Sequence, residues 1–92
     1  MDENKIIITV SGSDKVGIVS GISTILAKYK INIEDIKQTL MQGHFVMFML
    51  CDISKSKYSF KEIKESLTKC GEDMGMEIWV QNKEIVDNMH KI

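Results

Sequence analysis

Apolar and polar residues alternate from Lys5 to Ser11, with Ile6, Ile8 and Val10 on one face and Ile7, Thr9 and Ser11 on the other. A period of two marks a strand. From Ile18 the period becomes that of a helix. Ile18, Val19, Ile22, Ile25, Leu26 and Tyr29 form one stripe, which ends near Lys30, and Ser13 and Asp14 stand where an N-cap is needed. In residues 32–41, Ile33 and Ile36 are three apart, which breaks strand alternation. A bulge near Glu34 and Asp35 restores it, and the polar content predicts an edge strand. "MQGH" at 41–44 is a turn. His44 to Ile53 is apolar on both faces, which predicts a strand inside a sheet.

After a polar loop, "SFKE" at 59–62 is a capping box with Ser59 as N-cap and Glu62 at N3; Tyr58 and Ile63 stand where a hydrophobic staple forms. The helix it opens has a stripe of Phe60, Ile63, Leu67, Cys70 and Met74, and Gly71 or Gly75 is placed to end it. Met76, Ile78 and Val80 alternate with Glu77, Trp79 and Gln81 as a fourth strand. Ile85, Val86, Met89 and Ile92 give a short tail helix its stripe. The order βαββαβ predicts an α+β, ferredoxin-like antiparallel sandwich with both helices on one face, plus an additional C-terminal helix. Residues 1–92 read as a single domain, with a core at 5–82 and the tail helix at 83–92. Helices over Ile6, Ile8 and Val10 leave Ile7, Trp79 and one side of "FVMFMLC" on the open face. The tail helix and a second subunit are both expected to cover that patch.

Length adds to the case for self-association. A 92-residue chain buries only about 60–65% of its unfolded surface, so dimerisation helps it. A net charge of −1 gives no field for nucleic acid or anionic lipid. All twelve basic residues are lysines, so no guanidinium fork is available, and an anion site has to use backbone N–H groups, lysine or hydroxyls. "MDENK" is not the pattern of a secretory leader. The run "FVMFMLC" is far below the ~17 residues a membrane helix needs. The expectation is a cytoplasmic protein with no membrane partner, whose Cys51 and Cys70 are reduced thiols acting as small buried hydrophobes.

Reaction chemistry finds little support. His44 and His90 are isolated, and no Cys/His spacing suits a metal. Glu34/Asp35 and Glu72/Asp73 are sequence neighbours that read as solvated faces. No nucleophile stands at a recognisable spacing from a base. The expectation is no enzyme activity, no cofactor and no metal. Small ferredoxin-like hydrolases of acyl phosphates need an arginine that this chain lacks. The RNA-recognition fold needs exposed aromatics in a basic surround, whereas Phe45 and Phe48 point to opposite faces.

The stretch "VSGSDKVGIVSGIS" at 10–23 spaces Gly12, Gly17 and Gly21 across a strand-to-helix junction. It is neither a Walker A loop nor G-x-G-x-x-G. Small residues here either let the helix pack tightly on the sheet or let an anion approach the helix start. Asp14 is an N-cap or an acceptor for a ligand ammonium. Helix N–H groups for a carboxylate, with Asp14 for an amine, suit a free amino acid. Asn32 offers both a donor and an acceptor, or is simply a turn residue.

"ITVSGSDKVGIVSGISTILAKYKINIEDIKQT" followed by "GHFVMFMLCDI" resembles the ACT domain, the small regulatory module that binds amino acids. It is most similar to free-standing ACT proteins and the glycine-cleavage-repressor-like group, from Lys5 through Trp79. The family pattern G-x-D-[RK]-P-G-[IV], a helix and then Asn-Ile is met by Gly12, Asp14, Lys15, Gly17, Ile18, Asn32 and Ile33. Val16 stands where the family commonly has proline, so the loop φ is less fixed. The resemblance implies a ligand held between two subunits. Gly12, Asp14, Val16, Gly17, Ile18 and Val19 of one chain form one wall; Asn32 and Ile33 of the other chain form the second. It implies a non-enzymatic homodimeric amino-acid sensor working by population shift. The alternative is a ligand-free module that docks on a metabolic enzyme or regulator.

Overall fold

Ile6, Ile8 and Val10 are 0% exposed, because the strand that carries them has neighbours on both sides and helices above it. The structure, a computed structural model, describes residues 4–13 and 15–89. Its elements are β1 (Lys5–Gly12), α1 (Lys15–Lys28), β2 (Asn32–Met41), β3 (His44–Asp52), α2 (Phe60–Met74), β4 (Glu77–Asn82) and α3 (Lys83–Met89). The strands lie in the order β2-β3-β1-β4, every neighbouring pair antiparallel. This is the predicted ferredoxin-like sandwich, with β3 inside the sheet and β2 at an edge. Phe45, Met47, Met49 and Cys51 of β3 complete the buried face beneath Ile18, Ile22, Leu26, Ile63 and Leu67 of the two helices.

The bulge in β2 is at Glu34. Ile33 pairs with Cys51 and Asp35 with Leu50, so Glu34 is the extra residue. Ile36 then falls opposite Met49 and Leu40 opposite Phe45. Directly paired residues share a face, so Ile33, Ile36 and Leu40 all lie on the helix side of the sheet. The β2–β3 hairpin turns on Gln42 and Gly43, with φ of 49° and 81°, the two left-handed residues of a tight type I′ connection.

α1 starts three residues before its apolar stripe and ends at Lys28. Ile31 N–H donates to Leu26 O at 2.9 Å and Lys30 N–H to Ala27 O at 3.2 Å. Lys30 takes φ +56° between them, which is a Schellman closure. At the start of α2, Ser59 Oγ accepts from Glu62 N–H at 3.2 Å, and Ser59 N–H donates to Glu62 Oε1 at 3.1 Å. Gly75 ends α2. Gly71 instead lies buried inside the helix, where a Cβ would stand 2.9 Å from Met76 O. Its bareness lets the chain return beside α2 into β4. Met74, expected in the buried stripe, is 47% exposed; its side chain lies over Gly21 of α1.

Lys5 of β1 pairs with Glu34 of β2 and with Asp52 of β3, the latter at 3.2 Å, so one ammonium ties three strands at one end of the sheet. The Ser54 hydroxyl and backbone N–H, followed by Lys5, hold the Asp52 carboxyl down at about 2. α3 packs against β1 and β4, with Lys83 paired to Asp87. It leaves Phe48 and Trp79 about half exposed on the open face. Ile85 is also exposed, and Ile92 of the expected tail stripe lies outside the described residues.

The two helix glycines should respond oppositely to a methyl group. Gly71→Ala is expected to lower the urea midpoint despite alanine's better helix propensity, because the obstacle is a backbone carbonyl. Gly21→Ala meets only the flexible end of Met74 and should be neutral or slightly stabilising. For Asp52 the folded pKa is depressed, so its stabilisation is present above the ordinary 3.8 and disappears as pH falls through about 2. Urea midpoints of wild type and Asp52→Asn, separated at pH 7, should converge over that acid window.

Candidate functional site

The junction between β1 and α1 is built around Gly12. A Cβ there would stand 2.8 Å from Ile18 Cδ1 and 3.1 Å from Met76 Cβ, so glycine at this position is required by packing. Ile18 is 2% exposed; its side chain fills the core and leaves only its backbone toward the loop. Val16 is 79% exposed and Val19 partly so. Gly17, with Ser13, Ile18, Gly75 and Met76, lines a cavity of about 50 Å³, room for a water or two rather than for an amino acid. Asp14 lies outside the described residues.

Asn32 and Ile33 are at the opposite end of the same sheet. Asn32 pairs with Asp52 and Asp52 with Lys5, whereas Gly12 pairs with Phe45 and Phe45 with Leu40. Lys5 and Gly12 are seven residues apart along a strand, which at ~3.3 Å each separates the two ends by about 23 Å. Asn32 borders an open cavity of about 500 Å³ with Lys30, Asp52, Ser54 and Lys55. One chain therefore does not bring the two predicted walls together. Gly12, Val16, Gly17, Ile18 and Val19 share one end, and Asn32 and Ile33 share the other.

Between these ends runs an uncovered apolar trough. Ile36 is 41% and Leu40 70% exposed although both lie on the helix side, because the helices stop short of the β2 edge. α2 packs on β4 and α1 on β1, and Gly21 is the α1 position facing Met74 and Cys70 of α2. Val16 and Val19 fall roughly on the opposite side of α1 at 3.6 residues per turn, so they face the β2 edge. Sequence reading placed the bulge but not this consequence. The signal was the parity it imposes, which puts Leu40, together with Ile33 and Ile36, on the helix face.

Burial pushes the Cys51 thiol up to about 12, with the charge of Glu34 adding to it; burial and Asp73 also raise Cys70. Neither thiol is therefore poised as a nucleophile at neutral pH. Cys51 is buried as expected and Cys70 half-buried. His44 is exposed on the hairpin, and His90 lies outside the described residues. Among the described residues no three His, Cys, Asp or Glu side chains are grouped to hold a metal ion. Nor, among the described residues, is any helix long and apolar enough to cross a membrane.

Known proteins share this fold. A UPF0237 protein of Listeria innocua is 48% identical over 86 residues, covering 94% of this chain and 97% of the relative. Among solved structures, an ACT domain protein from Streptococcus pneumoniae superposes with a TM-score of 0.78 at 35% identity, covering 89% of this chain and 92% of its own. A protein described as a glycine cleavage system transcriptional repressor shares the fold, with a TM-score of 0.74 at 10% identity over 84% of this chain and 45% of that one. Residues 4–81 match the ACT domain family itself. The chain belongs to the ACT domain family.

Proposed function

We propose that this ACT-domain regulatory protein is a non-enzymatic homodimer that holds a free amino acid between its two copies. The observation that carries this reading is the ~23 Å separation of the glycine loop from Asn32 within one chain. A ligand touching both needs a second copy, and the exposed β2 edge offers the place for one. Two copies joined antiparallel along β2 set the Asn32 end of each beside the Met41 end of the other, which is also the glycine-loop end. The same pairing lets Ile36 and Leu40 meet their counterparts, with Val16 and Val19 flanking them. It would satisfy the unpaired edge groups of β2 and bury its apolar residues in one step. The ligand carboxylate would lie at the start of α1, where the helix dipole favours an anion. The Asn32 amide would bridge from the other copy. Binding would favour one dimer geometry, which a partner protein reads.

A second reading has its own observation. Phe48, Thr9 and Trp79 form one row across the open face, and α3 leaves both aromatics uncovered. On that reading the chain docks on another protein and needs no ligand.

Thermal denaturation of the protein with each free amino acid separates the two. Ligand at 100 times its Kd adds about 2.7 kcal/mol, which in a domain of this size raises Tm by about 10 °C or more. The sensor reading expects such a rise for one or two amino acids, lost in Gly17→Leu and in Asn32→Ala. No rise with any of them would leave docking as the function. The dimer is tested independently by sedimentation. Wild type should run at twice the 10.5 kDa chain mass, and Ile36→Glu/Leu40→Glu should run as the single chain with its helical circular dichroism kept. A double variant that remains dimeric would remove β2 from the interface.

A further inference from the structure

Four lysines crowd the end of the molecule away from the glycine loop. Lys28 and Lys30 at the close of α1, with Lys55 and Lys57 from the loop after β3, line a cavity of about 260 Å³ together with Tyr29 and Tyr58. Lys30 and Lys55 also border the adjoining cavity of about 500 Å³ that reaches Asn32 and Ser54. No carboxylate lines the first cavity. Asp52 alone lines the second, and it is already engaged by Ser54 N–H at 2.7 Å and by Lys5. All four lysines are exposed, and among the described residues none of them is in an ion pair. In a chain of net charge −1, this local charge of +4 is a concentration rather than an average. Like charges held together repel. The C-terminal dipole of α1 offsets this for Lys28 and Lys30, but Lys55 and Lys57 belong to a loop and have no such compensation.

Lys30 adds an independent observation. Its φ of +56° is at the position of the Schellman closure where glycine or asparagine is usual, and a lysine there carries a steric cost that glycine avoids. An unfavourable backbone kept at a residue whose side chain borders both cavities points to use of that side chain. The aromatic floor is fixed as well. Tyr29 and Tyr58 meet edge to face at 4.6 Å, Tyr29 Oη lies 3.0 Å from Ser66 Oγ, and Lys28 and Lys57 lie 5.8 and 5.6 Å from the two ring centres.

We propose that this lysine-lined pair of cavities binds a soluble anion carrying two or more phosphate groups. Ammonium groups act as point charges toward phosphate oxygens and lack the planar fork that selects a single carboxylate. A 260 Å³ cavity is smaller than a typical whole-ligand pocket; it suits a phosphoryl chain, and the larger neighbour is left for the rest of the molecule. The lysines lie outside both walls of the amino-acid reading; only the larger cavity also reaches Asn32, so the smaller one, with Lys28, Lys30, Lys55 and Lys57, carries the proposal by itself.

The test uses the intact protein at low salt, where such attraction is least screened, with inorganic tripolyphosphate as the probe in calorimetric titration and thermal denaturation. One tripolyphosphate per chain is expected to bind and raise Tm. Lys30→Gly should raise the ligand-free Tm by a few degrees, because it relieves the left-handed lysine, yet weaken tripolyphosphate at least tenfold. Lys55→Ala/Lys57→Ala should weaken it similarly, while Lys61→Ala/Lys64→Ala on the exposed face of α2 should leave it unchanged. Three results overturn the proposal: no binding at millimolar tripolyphosphate, equal weakening in the Lys61/Lys64 variant, or an equal Tm rise with citrate.

Discussion

The arrangement depends on burying Ile6, Ile8 and Val10 between two neighbouring strands and two helices. A central strand covered on one face must alternate, and this alternation fixes what every other element can do. α1 lies over β1 and α2 over β4, so they sit side by side and neither reaches the β2 edge. The close approaches at Gly12 and Gly71 follow from the same demand, since each removes a side chain where a helix or its return meets the sheet. The exposed trough along β2 is thus what remains when a four-stranded sheet has only two helices to cover it, and it is the surface on which the proposed self-association rests.

α1 connects the two regions of interest. Its fourteen residues span about 21 Å, from the glycine loop at one end to Lys28 and Lys30 at the other. The first end is shaped by packing: Gly12 makes room for Ile18, which in turn anchors the helix start. The second end is shaped by charge, with Lys30 closing the helix in a conformation that its own Cβ disfavours. A shift of the helix along its axis would be felt at both ends. That is a physical route by which occupancy of one could bias the other, given a two-state arrangement of the helix.

Much of the fold was legible because its signals are local. Ser59 and Glu62 cap α2 through contacts three residues apart, β1 alternates without interruption, and the spacing of Ile33 and Ile36 betrays the bulge. Features set by distant partners were not legible. Met74 has the right phase to be buried, yet its side chain lies over the bare Gly21 of α1 and stays half exposed. Lys30 carries no glycine-like signal, so its left-handed backbone had to be seen. The candidate site was half readable. The family pattern picks out Gly12, Gly17, Asn32 and Ile33, but only the strand register shows that they lie at opposite ends of one sheet. Only packing shows that Gly12 and Ile18 serve the core.

The strand order also has a consequence for synthesis on the ribosome. β1, α1, β2 and β3 emerge first and can already form a three-stranded sheet, but the strand that ends up flanked on both sides is then an edge. Until α2 and β4 follow, a delay of about 1.5–6 s at ordinary translation rates, one side of Ile6, Ile8 and Val10 has no neighbour in its own chain. The nascent protein thus briefly presents the strand that carries Ile6, Ile8 and Val10 as an open template, and the last third of the chain acts as the cover that closes it. Because the chain contains no proline, no slow prolyl isomerisation delays that closure.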